Sequence, residues 1–347
     1  MNQVPQLITI FGWSTLAFVI TLVLTPIFLK LVTKFKLGKQ IREESIDGKA
    51  ATFFREMHAK KSGTPTMGGV IMWGSVVLTI LISRLLAFLG WIPKSLLDRG
   101  EVYLPLFTLM AVGILGAVDD FFNIKRIGKK KGIEAKPKFL FLMFFAIIGA
   151  WWFYSKLGFS SIHIPHLGDF EIGMWYIPLF ILVIVSTANA VNITDGLDGL
   201  AGGLLILAFM AFGAIAFAKG LLILSIFCGL LIGTLMAFLW HNVPPALFYM
   251  GDTGSLAYGA TLGVIAMMTD SLVVLLIVGF VFIVETLSVI IQLTSKKLFK
   301  RKVFLIAPIH HHFEKKGWGE AKITMRFWII GAFFGVVGLI IGLIGMG

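Results

Sequence analysis

The sequence predicts an all-α, polytopic integral membrane protein of about ten transmembrane helices, with both termini on the outer side. Three observations predict it. The chain of 347 residues is 58% hydrophobic and only 14% charged, with 32 Phe. A soluble fold of this size has no interior large enough to bury that much apolar surface. Apolar runs long enough to cross a bilayer, about 20 residues each, recur along the whole chain. The basic residues fall almost entirely between alternate pairs of these runs.

The runs lie near 9–32, 67–90, 103–121, 138–156, 174–191, 199–218, 221–240, 255–269, 271–295 and 324–345. Within 199–240 and 255–295 the only polar breaks are Lys219-Gly220 and Thr269-Asp270, so the division there rests on those pairs. With the N-terminus outside, the segments near 33–66, 119–138, 190–200, 241–254 and 295–323 face the inner side. Counted with Lys30 and Arg326, they hold 25 of the 30 Lys and Arg residues; Arg84, Lys94, Arg99, Lys156 and Lys219 remain outside. This asymmetry follows the rule that basic loops stay cytoplasmic. Met1 to Gly12 carries no basic leader and no small-residue cleavage site, so the first helix is expected to remain as an anchor. The outer segment 157–174 is too long for a tight turn, and alternation around Ile162 and Ile164 suits a small hairpin. No repeat or linker divides the chain, which reads as a single transmembrane domain over 1–347.

The one cysteine, Cys228, excludes an internal disulfide. The net charge of +12 fits basic cytoplasmic loops and anionic substrates or lipids, and no nucleic-acid partner is expected.

The acidic and titratable residues are the informative exceptions. Carboxylates are costly near lipid and persist where they do something. Asp119-Asp120 ends an apolar run. Neighbours on a helix diverge by about 100°, so one carboxylate can take a metal or proton while a basic partner holds the other. Acids at a helix C-terminus also oppose the macrodipole, which argues against a bland helix end. Asn189, Asn192, Asp195 and Asp198 repeat every three residues, and i, i+3 positions share a helix face. Gly196 and Gly199 let the backbone approach a ligand closely. A polar turn would need one capping Asp, not four groups in register.

Asp252 lies between Gly251 and Gly254 after the helix-breaking Pro244-Pro245. Alone it also suits plain N-capping. Phe248 and Tyr249 beside it suit stacking on a planar base. His310-His311-His312 invites a zinc assignment, but consecutive side chains diverge and no cysteine partner exists. Hydrogen bonding to phosphate is the better use. Lys61 and the GTPTMGG stretch at 63–69 suit phosphate contact, or plain interfacial snorkelling of the lysine, without Walker spacing. Glu285 and Gln292 share one face of the ninth run; they could line the site, and a structural or helix-breaking role is the favoured reading. His163 and His166 read as background. A transporter would gather polar groups near mid-bilayer in repeated halves. Here they gather on one side and no repeat is visible, which favours an active site at the membrane surface.

The stretches KKSGTPTMGG, VDDFF, TANAVNITDGLDGL, FYMGDTGS, PIHHHFEKKGW and KITMRFW occur in order between about 60 and 328. Together they resemble the phospho-N-acetylmuramoyl-pentapeptide-transferases, a branch of the polyprenyl-phosphate N-acetylhexosamine-1-phosphate transferases. The Asp pair and the NAVN-type loop resemble the wider superfamily, and the three histidines with the following Glu and Gly resemble the muramoyl branch. The resemblance implies a Mg²⁺-dependent transfer from UDP-N-acetylmuramoyl-pentapeptide to undecaprenyl phosphate, giving lipid I and UMP. It also implies a multi-pass protein of the bacterial inner membrane and a homodimer. By motif, Asp252 resembles the Mg²⁺ ligand, with Asn192 a second. Asp119 and Asp120 resemble the essential pair, with Asp119 accepting a proton from the lipid phosphate or orienting it. Gly196, Leu197 and Asp198 resemble a uracil-recognition strip flanked by Asn242 and Tyr249. Tyr249 stands where the family often has Phe. Lys61, Thr66 and His310, His311 and His312 resemble contacts to phosphate or sugar, and Asn189 and Asp195 line the pocket. The segment between Asp120 and Gly132 is longer than the family pattern, which leaves its lysines without individual roles.

Overall fold

A computed structural model describes residues 3–35, 37–38, 63–125 and 135–345. Twelve α-helices appear among them. They are α1 (Val4–Lys34), α2 (Gly69–Phe88), α3 (Tyr103–Ile124), α4 (Ala135–Lys156), α5 (Tyr176–Thr194) and α6 (Leu200–Ala218), followed by α7 (Leu222–Asn242), α8 (Gly251–Met268), α9 (Leu272–Val278), α10 (Phe280–Phe299), α11 (Ile309–Lys315) and α12 (Glu320–Ile344). Leu, Ile, Phe and Val dominate the long ones, and many of these side chains face outward: Phe11, Phe88, Phe144, Leu182, Ile329 and Phe333 are all exposed. That is the surface of a multi-pass membrane protein, where lipid takes the place of a core partner.

The expected hairpin is present. Strands β1 (Ser161–Ile164) and β2 (Gly168–Glu171) pair antiparallel, with Ile162 opposite Phe170. The turns at Lys219-Gly220 and Thr269-Asp270 also fall where the polar breaks put them.

Two elements differ from the sequence reading. The ninth run, expected as one span over 271–295, is broken at Gly279 into α9 and α10, which meet at 77°. No Pro marks the break. Phe280 stacks on Phe334 of α12 with ring centroids 3.9 Å apart, and Gly338 of α12 closes on Val278, so packing against α12 holds the corner. The other difference is α8. Among the described residues eight helices are long and apolar enough to cross a membrane, or nine if the bent pair is one span, and α8 is not one of them. Hydropathy marks lipid-facing helices, whereas α8 is enclosed by protein.

The enclosure is built from small residues. Every residue of α8 from Thr253 to Met267 is buried. A side-chain carbon on Gly116 of α3 would lie 2.3 Å from the Asp252 carbonyl oxygen, and one on Gly69 of α2 would lie 2.2 Å from the Gly254 nitrogen. One on Gly259 would lie 2.7 Å from the Thr187 carbonyl oxygen of α5. Three helices therefore meet α8 backbone to backbone, which is how helices pack without a hydrophobic drive between them. The first turn of α8 becomes a fixed point for everything around it.

Candidate active site at the start of α8

Asp119 and Asp120 sit in the last turns of α3 and are both buried. Their carboxylates part as the helical rotation requires. Asp120 turns to the start of α8, where its side chain accepts from Asp252 N at 3.2 Å, Thr253 N at 3.0 Å and Thr253 Oγ1 at 2.6 Å. It is an N-cap supplied from another helix, satisfying amides that α8 leaves without intrahelical partners. Gly251 makes this possible. Its φ is +69°, and a side-chain carbon there would lie 2.3 Å from Asp120 Oδ2.

Asp119 turns the other way, to Lys138 at the start of α4. The same Lys138 Nζ also pairs with Asp252 Oδ2. Two carboxylates from α3 and α8 thus converge on one cation from α4. Asn192 Nδ2 braces the far oxygen of Asp252 at 2.8 Å and also reaches Ser255 Oγ at 2.8 Å.

The strip from Asn189 to Asp198 closes α5 and opens α6. Asn189 donates to Val185 O one turn back, at 2.7 Å. Asp195 caps the C-terminus of α5, its N–H reaching Val191 O. Leu197 is buried. Asp198 accepts from Ala246 N at 3.0 Å through Oδ2, and its own N–H donates to Glu320 Oε1 at 2.7 Å. Asn242 accepts from Gly199 N at 2.9 Å and donates to Phe248 O at 2.8 Å. Asp198 and Asn242 therefore join the strip to the 243–250 loop. Tyr249 ties that loop to the start of α2: its N–H donates to Pro65 O and its carbonyl accepts from Gly68 N. Thr66, buried on the same segment, brings its hydroxyl beside Gly251. Lys61 lies outside the described residues.

The three histidines lie on the short helix α11 and point to three partners. His310 is fully buried, with Nδ1 3.0 Å from Glu285 Oε2. His311 Nδ1 pairs with Glu314 Oε2 one turn on. His312 Nδ1 accepts from Leu305 N at 3.1 Å. Burial, with Lys316 nearby, holds the His312 ring below the ordinary imidazole value, in keeping with a nitrogen that accepts. The divergence expected of consecutive residues is what the helix produces. Gly196 connects this group to the strip, since a side-chain carbon on it would lie 2.3 Å from His310 Nε2.

A hard divalent cation takes oxygen ligands, and Mg²⁺ in phosphate sites leans on one or two carboxylates plus phosphate and water oxygens. Asp119 and Asp252, drawn together on one positive point, fit that donor set. Asn192 presents its NH₂ to Asp252, so it orients this carboxylate, and its oxygen would serve a cation only after the amide turned. No group of three His, Cys, Asp or Glu among the described residues forms a cage for a metal.

Sequence reasoning gave Lys138 no separate role, because it is one of seven basic residues between 125 and 138. Glu285, for which the sequence favours a structural role over lining the site, backs His310. The Glu314 partnership was visible in principle, since His311 and Glu314 are three apart in HHHFE.

Fold and site together define a class: a multi-pass membrane protein with carboxylates, a lysine and imidazoles gathered at one end of its bundle. Residues 102–270 match the model of glycosyl transferase family 4, and residues 61–71 match phospho-N-acetylmuramoyl-pentapeptide-transferase signature 1. The chain is 39% identical over 329 residues to a phospho-N-acetylmuramoyl-pentapeptide-transferase of Geobacillus sp. (strain WCH70), covering 94% of this chain and 95% of that one. It is 39% identical over 333 residues to one of Clostridium botulinum, covering 96% of each chain. One of Staphylococcus carnosus is 37% identical over 341 residues, covering 96% of this chain and 99% of that one. The chain belongs to the phospho-N-acetylmuramoyl-pentapeptide-transferase family.

Proposed function

We propose that this enzyme transfers phospho-N-acetylmuramoyl-pentapeptide from its UDP donor to undecaprenyl phosphate, giving lipid I and UMP. This is the first membrane step of peptidoglycan synthesis. The observation that carries it is the convergence of Asp119 and Asp252 on Lys138 at the start of α8, in a chain of this family. Phosphoryl transfer demands positioning and charge neutralisation more than covalent help. An oxygen of the lipid phosphate attacks the β-phosphorus of the donor, and the bond to the UMP oxygen breaks in the same displacement. Asp119 orients the lipid phosphate or takes its proton. Lys138 and Lys61 supply positive charge to the phosphates. His310, His311 and His312 meet phosphate or sugar. The strip at Gly196, Leu197 and Asp198, with Asn242 and Tyr249, shapes the pocket for the uracil. Asp120 sets the height of Asp252 by capping α8.

Asp252 would hold Mg²⁺, with Asn192 beside it; when bound, the ion neutralises pyrophosphate charge. Basic loops collect the two anionic substrates at the cytoplasmic face. The same reading counts the protein-enclosed α8 as one of ten crossings, with both termini outside, residence in the bacterial inner membrane, and a homodimer.

Purified protein given the UDP-muramoyl-pentapeptide, undecaprenyl phosphate and Mg²⁺ is expected to release UMP, and chelation is expected to stop release until Mg²⁺ is restored. Asp119→Asn, Asp252→Asn and His311→Ala should each lose most of this activity. Preference for UDP-N-acetylglucosamine as donor would overturn the muramoyl assignment, and normal turnover of Asp252→Asn would remove the metal role.

A further inference from the structure

Glu285 and His310 form a pair that the transfer scheme above leaves half explained. Glu285 lies in the upper part of α10 and is fully buried, as is His310 on α11. One oxygen of the carboxylate, Oε2, meets His310 Nδ1 at 3.0 Å. The remaining polar atoms of the pair, Glu285 Oε1 and His310 Nε2, are buried without a hydrogen-bond partner among the described residues. Buried polar atoms are nearly always paired, and the exceptions call for an explanation such as a site awaiting its ligand.

The ring is gripped from two sides. Behind it stands Glu285. In front stands Gly196, where any side-chain carbon would lie 2.3 Å from Nε2 and 2.8 Å from Cε1. His311 packs edge-on against the same ring, with centroids 4.1 Å apart. A carboxylate accepts, so the proton shared with it sits on Nδ1, and the imidazole's other nitrogen is then left as an acceptor. That unpaired nitrogen is turned to the glycine strip that joins α5 to α6, beside Asp195 and Asp198.

We propose that Glu285 is a positioning residue: it fixes the orientation and tautomer of His310, so that Nε2 is presented at the Gly196 strip as an acceptor for a polar hydrogen of the nucleotide-sugar donor. The inference rests on the transferase reading above. It adds a residue from the bent helix pair to the site and gives Gly196 a steric duty toward the imidazole, apart from any contact with the base.

The test is a double-mutant cycle on UMP release with the full chain. Glu285→Gln should lower kcat at least tenfold with an unfolding temperature close to that of the unaltered protein. In the His310→Ala background, Glu285→Gln should cause no further loss. Additive losses, or an unchanged kcat in the single variant, overturn the proposal. Histidine-selective ¹⁵N NMR of the unaltered protein, with His310 assigned from the signal missing in His310→Ala, should report the proton on Nδ1. A proton on Nε2 also overturns it, even where Glu285→Gln does not fold. If the unaltered protein releases no UMP, the transferase reading fails instead, and the NMR result still decides the tautomer.

Discussion

The two ends of α8, about 27 Å apart by helical rise, both collect charged groups, and they use them differently. At the Met268 end, the hairpin is clasped to its neighbours. His163 donates its backbone N–H to Asp270 Oδ1 at 3.1 Å, while its ring contacts Asp169 Oδ1 at 2.7 Å and Gly345 O at 2.8 Å. Lys219 donates to Thr269 O at 2.6 Å. Every one of these groups meets protein. At the Gly251 end, two carboxylates share one lysine, and a buried Glu–His pair leaves two atoms without a partner among the described residues. Charges that hold a fold find partners within it. Charges crowded on a shared partner, or left without one, are arranged for something that arrives.

Removing Lys138 tests that contrast most strongly. Lys138→Ala leaves Asp119 and Asp252 facing each other without their cation, and turnover is expected to fall by roughly 10²-fold or more. A steady-state UMP assay checks it. A smaller effect is expected from Asp120→Asn, whose neutral amide caps α8 less well than the carboxylate. It should cost about 1–2 kcal/mol of stability in thermal or denaturant unfolding, with partial activity retained as Asp252 loosens. The smallest change in turnover belongs to the other end. His163→Ala removes the two ring contacts to Asp169 and Gly345 and should cost about 1–2 kcal/mol, with UMP release unchanged. A large activity loss there would erase the distinction between the two ends.

Much of the site was legible because its residues break the membrane pattern. The Asp119-Asp120 pair, the Asn189-to-Asp198 strip and the histidines are polar where lipid-facing sequence is apolar. What separates Asp119 from Asp120 was not legible beyond the angle between them. Which one caps α8 depends on where Thr253 lies, 133 residues away. Lys138 was hidden for the opposite reason, as one cation in a basic segment where charge is common. The fold shows the same division. Long lipid-facing helices announce themselves by hydropathy, whereas α8 carries Gly, Ala and Thr because other helices surround it. The corner at Gly279 left only that glycine as a local mark, where a side-chain carbon would lie 2.7 Å from Leu275 O, and a lone glycine in an apolar run does not by itself announce a bend that packing on α12 completes.

The interlocked glycines around α8 carry a consequence for heat and time. Asp252 sits one residue inside a rod wedged between α2, α3 and α5, so its carboxylate has no loop to swing on. A catalytic group carried on a mobile lid loses function by loosening well before its protein melts. Here the group is set in a helix buried along nearly its whole length, so the temperature at which turnover disappears should coincide with the temperature at which the whole bundle comes apart.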